Sequence, residues 1–229
     1  MKIFTLQPRV DLRYLIVFIL SLFFQNVKAQ FSPVYTTTIS SQSNTDFTNN
    51  SIDGNLSTRA RVRASSGIAL NIGNYSGHLE LQYPTQIPAN TTTYIKIQTD
   101  DNLLPALLSG SLGNLVADVL GVVLIGNQEF SVQAKNQNTV VLEGNSQFFN
   151  DFSGPRLRVV ANGNNEYFIA ITPNQVYDRV RLTNRVGALL GLFNTKRLDV
   201  FEAFYIGTPD ACGGASFTSF DGAGLNWDL

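Results

Sequence analysis

His78-Leu79-Glu80-Leu81-Gln82-Tyr83 alternates strictly, with Leu79, Leu81 and Tyr83 on one face and His78, Glu80 and Gln82 on the other. A period of two puts successive side chains on opposite faces of a pleated strand, so this stretch reads as a strand with one face in a core. The pattern recurs along the chain. Ile95 and Ile97 alternate with Tyr94, Lys96 and Gln98, and Phe130, Val132 and Ala134 alternate with Ser131 and Gln133. Val180 and Leu182 alternate with Arg179 and Arg181. Residues 157–160 and 167–171 read as two further strands. The Ala161-Asn162-Gly163-Asn164-Asn165 stretch between them reads as a hairpin turn, because Asn-Gly tolerates positive φ. The last long strand runs from about Leu198 to Ile206. Short alternating strands with connections rich in Asn, Ser and Gly predict an all-β antiparallel sandwich.

One segment breaks the alternation. Residues 103–125 (LLPALLSGSLGNLVADVLGVVLI) are apolar with a looser, helix-like spacing. Asp101 or Asn102 suits a helix cap and Pro105 a first turn. The reading is a short helical insertion near 103–120, buried against the sheets; a hydrophobic patch for a membrane or partner is the alternative. Pro105, Asp118 and the glycines at 110, 113 and 121 count against a span. A second apolar stretch, 186–193, is placed against it.

The chain start has the layout of a secretory signal peptide over 1–29. Lys2, Arg9 and Arg13 precede the apolar run 14–24, and Val27-Lys28-Ala29 offers small residues for cleavage. An uncut signal anchor is the other reading. Removal of the leader leaves 200 residues with 12 basic and 16 acidic groups. A net charge of −4 argues against a nucleic-acid surface, which needs a basic stripe. Cys212 is the sole cysteine, so no disulfide forms within the chain. The expected organisation is a leader (1–29), a sandwich (30–210) and a Gly-rich tail (211–229). The expected location is secreted or cell surface, with no stable membrane span after cleavage.

Two features carry chemistry. Asp53-Gly54-Asn55 followed by Thr58 offers oxygen ligands turned by a glycine, as a hard cation such as calcium requires; an ordinary turn is equally consistent with it. In the last strand Leu198, Val200, Glu202, Phe204 and Ile206 fall on one face by alternation, which sets Glu202 among apolar residues. A buried carboxylate needs a partner, so Glu202 is expected at a metal, at an arginine, or turned outward by a β-bulge.

These segments together resemble discoidin-type (factor V/VIII C-type) galactose-binding-like domains. Asp53-Gly54-Asn55 with Thr58 resembles that family's calcium loop. Tyr177-Asp178-Arg179-Val180-Arg181-Leu182-Thr183-Asn184 resembles its penultimate strand, and residues 198–207 its closing strand. His78-Leu79-Glu80-Leu81 and residues 94–98 look like its central strands. Residues 33–210 are also similar to modules of large secreted Bacteroidetes adhesins, including Asn127-Gln128-Glu129-Phe130 and Thr172-Pro173. The resemblance implies a jelly-roll sandwich, a structural calcium held by Asp53, Asn55, Thr58 and Glu202, and a ligand, often a sugar, held by loops at one end. Arg59-Ala60-Arg61 stands where the family carries a Trp, and the 103–125 insertion is foreign to it.

Arg59, Arg61 and Arg63 alternate, and arginine forks suit hydroxyl-rich or carboxylate ligands, although a solvated face reads the same way. Arg59, Arg61, Tyr75 and His78 are the candidate ligand contacts. Enzyme signatures are absent: there is one His, one Cys, and no GxSxG, HExxH or phosphate loop. The expectation is a non-enzymatic, calcium-stabilised surface module that binds carbohydrate or a surface protein in adhesion. A structural spacer and a secreted hydrolase with paired carboxylates are the alternatives.

Overall fold

The computed structural model describes residues 33–67, 72–100, 103–109, 125–188 and 194–207. The leader, residues 110–124 of the apolar segment, residues 189–193, Cys212 and the Gly-rich tail lie outside these residues.

Twelve strands and one helix follow in the order β1 (Pro33–Tyr35), β2 (Thr38–Ser43), β3 (Thr45–Asp46), β4 (Ala60–Ser65), β5 (Gly77–Ile87), β6 (Thr93–Thr99), α1 (Leu103–Ser109), β7 (Ile125–Asn136), β8 (Thr139–Asn145), β9 (Leu157–Ala161), β10 (Tyr167–Ile171), β11 (Tyr177–Ala188) and β12 (Thr195–Ile206). They form two antiparallel sheets. One has the order β3-β4-β12-β6-β10-β9, with β1 also on β12; the other has the order β2-β5-β11-β7-β8. The chain is an all-β sandwich.

Alternation places the core. Leu79 and Leu81 of β5, Val132 of β7 and Leu182 of β11 meet Val62, Ile95, Ile97, Ile169 and Leu198 of the facing sheet, all fully or almost fully buried. Each such side chain contributes about 1.5–3 kcal/mol of hydrophobic stabilisation. Leu103, Leu104, Ala106 and Leu107 of α1 enter the same core, so the described part of the apolar insertion is a buried helix. Among the described residues no helix is long and apolar enough to cross a membrane.

Two local expectations are corrected. The hairpin turn between β9 and β10 does not use Gly163 at positive φ. Asn165 takes the left-handed conformation, at φ 58°. The Asn162 side chain organises the turn by accepting from the Asn164 and Glu166 N–H groups at 3.0 Å each.

The second correction decides the site. Val200 pairs with Ile97 and Ala203 with Ile95, so both Phe201 and Glu202 stand opposite Lys96. This β-bulge reverses the alternation. Leu198, Val200 and Ala203 face the central core, whereas Phe204 and Ile206 join Phe168, Tyr94 and Tyr35 in a second apolar cluster on the other face of the sheet. The five alternating residues of the last strand therefore do not share a face. The bulge lies where β12 changes neighbours: β4 pairs with it as far as Val200, and β1 takes over at Phe204.

Candidate functional site

The segment between β3 and β4 comes back to β12 at this gap. It opens with Phe47 at φ 55° and a 3₁₀ turn, Thr48–Ser51. The next six residues close on themselves. Asn55 N donates to Asp53 Oδ1 at 2.9 Å and Ser57 N to Asn55 Oδ1 at 2.9 Å, two successive Asx turns. Thr58 Oγ1 donates to Asp53 Oδ2 at 2.7 Å. Gly54 takes φ +74°, a backbone conformation that glycine reaches without a Cβ penalty.

Two side chains at the bulge fasten this turn to the sheet. Gly54 N donates to Glu202 Oε1 at 2.5 Å. Lys96 Nζ donates to the Leu56 carbonyl at 2.7 Å and pairs with Glu166 at 2.5 Å. Lys96 also sits 4.7 Å over the Phe201 ring. The extra residue thus presents Phe201 to the lysine and Glu202 to the glycine of one turn.

Glu202 is fully buried, and its Oε2 has no hydrogen-bond partner. Burial raises its carboxyl from 4.5 to about 7. The Gly54 and Asn55 N–H groups oppose that rise, and the nearby Asp53 carboxyl adds to it. Burial and the nearby Glu202 charge also push the Tyr35 hydroxyl up. Asp53, Asn55, Thr58 and Glu202, far apart in sequence, are therefore one cluster. Its donor set fits a hard cation: two carboxylates at one turn, one buried oxygen without a partner, and neutral oxygens from Asn55 and Thr58. No group of three or more His, Cys, Asp or Glu side chains is gathered among the described residues.

Next to the turn, β4, β12 and β6 form a polar recess of about 160 Å³ on the outer face of their sheet. Arg59 and Arg61 both reach Asp199 through Nε at 3.0 Å. Arg197 Nε reaches Asp100 at 3.2 Å. Gln98 and Thr99 complete the lining.

Tyr75 and His78 lie elsewhere. Tyr75 is bridged to Ser65 and lines a separate recess of about 430 Å³ with Asn74, Glu129 and Arg185. His78 is on the other sheet, with Nε2 2.9 Å from Ser41 Oγ. Burial and then Arg181 lower its pKa, Glu80 opposes, and Lys135 lowers it further. The four candidate ligand contacts thus divide among three places, and only Arg59 and Arg61 stand together. Sequence reasoning missed Asp199, Arg197, Asp100 and Lys96. Asp199 was legible as an outward residue of the last strand, but its pairing with two arginines depends on the register of β4 against β12.

No family model, curated protein or solved structure matches this chain. The likeness to discoidin-type domains and adhesin modules therefore rests on the short motifs quoted above.

Proposed function

We propose that this chain is an exported surface or extracellular binding module, adhesive in role and directed at carbohydrate, with a calcium ion as a structural tie. The observation that carries the reading is the buried Glu202, its Oε2 without a partner, against the Asp53-Gly54-Asn55 turn. Glu202 and Asp53 would hold the ion, with Asn55 and Thr58 supplying neutral oxygens. A bound calcium supplies positive charge where two carboxylates otherwise repel. This chain's own residues also hold the turn, through Gly54 N–H on Glu202 and Lys96 on the Leu56 carbonyl. The turn leads directly into Arg59 and Arg61, so its rigidity sets the position of the first strand of the polar recess.

The test is a glycan array probed with the mature chain in calcium and in chelator. Calcium-dependent binding to a subset of glycans is the expected result. A blank array under both conditions, with the chain folded, overturns the carbohydrate role and leaves the spacer.

A further inference from the structure

We infer that the Arg59–Arg61–Arg197 recess takes the carboxylate of an acidic sugar, one hexuronate residue of a polysaccharide. This inference rests on the glycan-binding reading above and specifies its ligand class.

Charge is the first argument. The recess holds three guanidiniums and two carboxylates, which leaves one positive charge. A bound monoanion removes that excess.

Geometry is the second argument. Asp199 lies between Arg61 on β4 and Gln98 on β6, its cross-strand partners. Its two oxygens meet Nε of Arg59 and Nε of Arg61, at 3.0 Å each. The side-chain hydrogen bonds of Arg61 and Arg197 run through Nε. Two guanidiniums clamped by one carboxylate on adjacent strands are preorganised, so little side-chain freedom remains to be lost on binding. Planar guanidinium forks match the two oxygens of a carboxylate.

The lining then selects among anions. Asp100 and Asp199 repel a dianion such as phosphate and accept hydrogen bonds from hydroxyl groups. Gln98 and Thr99 both donate and accept. A monoanion bearing several hydroxyls meets the arginines with its charge and Gln98, Asp100 and Asp199 with its hydroxyls. A volume of about 160 Å³ is below the roughly 300–1,000 Å³ of drug-sized sites, so it admits one sugar residue at a time. No aromatic ring lines the recess, so affinity comes from charge and hydrogen bonds and falls with salt.

The experiment measures binding of oligogalacturonate by calorimetry to the mature chain in calcium, beside its methyl ester and a neutral galactose oligomer. The ester keeps the hydroxyls and removes the charge. Arg59→Gln and Arg197→Gln are compared with Arg63→Gln, which loses the same charge outside the recess; melting curves verify that all three fold. The expected result is at least tenfold weaker binding for the ester, for Arg59→Gln and for Arg197→Gln, with Arg63→Gln within twofold of the parent. Equal binding of acid and ester overturns the inference, and so does an equal loss in Arg63→Gln, which indicates diffuse attraction. Neutral glycans bound on the array without oligogalacturonate binding overturn this inference alone. No glycan binding of any kind overturns the parent reading as well.

Discussion

Glu202 makes a pH-dependence prediction whose sign follows from its surroundings. Its carboxyl is raised from 4.5 to about 7, chiefly by burial. The folded protein therefore holds a proton there that the unfolded chain releases. The stability this supplies is fully present below pH 4.5, declines as pH rises through the window up to about 7, and is gone above it. The full shift corresponds to about 3 kcal/mol. Solvent reaching the exposed side of the turn reduces it to about 1–3 kcal/mol. For a chain of this size that is a fall of about 2–10 °C in Tm. The assay is a thermal melt at pH 5 and pH 8, in chelator, for the parent and Glu202→Gln. The parent should lose stability between the two, and Glu202→Gln, which cannot ionise, should lose much less. Millimolar calcium should flatten the parent's slope, because a cation at Glu202 and Asp53 favours the ionised carboxyl. A parent Tm equal at both pH values in chelator, or the same slope in Glu202→Gln, refutes the buried-carboxylate reasoning. An unchanged slope with calcium refutes the ion and leaves the burial argument standing.

Three further perturbations probe the frame around the site. Glu80 is buried between Lys135 at 2.5 Å, Arg179 at 3.5 Å and Arg181 at 3.7 Å, and Glu80→Ala leaves a buried lysine uncompensated; a loss of about 3–5 kcal/mol is expected in urea unfolding, and under 1 kcal/mol contradicts the pairing. A Cβ at Gly77 would clash with the Arg63 carbonyl oxygen, so Gly77→Ala should cost about 1–3 kcal/mol in the same assay; a neutral outcome means the two strands part freely there. Phe47 is 71 % exposed at φ 55°, where bulky residues are strained, so Phe47→Asn should raise stability by about 0.5–1 kcal/mol; a lower Tm shows that the ring is packed rather than strained.

The legible part of the fold was the part with unbroken alternation. Leu79, Leu81 and Tyr83, or Val180 and Leu182, could be assigned to a core because a strand paired on both edges keeps its period. The short pieces β1 and β3 carry too few residues to show one. β8 (Thr139–Asn145) is an edge strand, and its Val140 is exposed, so its apolar residues follow no face. Alternation along the last strand places Glu202 among the core residues, and the bulge changes that placement. Glu202 is buried, but it does not face the central core with Leu198 and Val200. Alternation cannot announce a bulge, because one extra residue leaves no mark on composition. Its trace is a change of phase, from Leu198 and Val200 facing the core to Ala203 doing so, and that is visible only once pairing partners are known.

That change of phase also explains why the candidate groups gather where they do. A regular β12 would place one residue opposite Lys96, and a single position cannot offer both a ring to the lysine and a carboxylate to the turn. The bulge supplies two residues there, Phe201 and Glu202. It falls in the interval between β4 and β1, where the edge of β12 has no strand partner and the backbone has room for an extra residue. The segment from Phe47 to Thr58 crosses that interval, with Thr36 donating to the Ala203 carbonyl at 3.0 Å at one side and Arg59 meeting Asp199 at the other. Under the proposed binding role, stability and ligand binding are thereby coupled through a few residues. Whatever settles the charge on Glu202, a proton or a cation, acts on the turn that leads into Arg59 and into Arg61 of β4, two of the recess arginines. A ligand at those arginines and a cation at Glu202 should therefore strengthen each other's binding by equal factors.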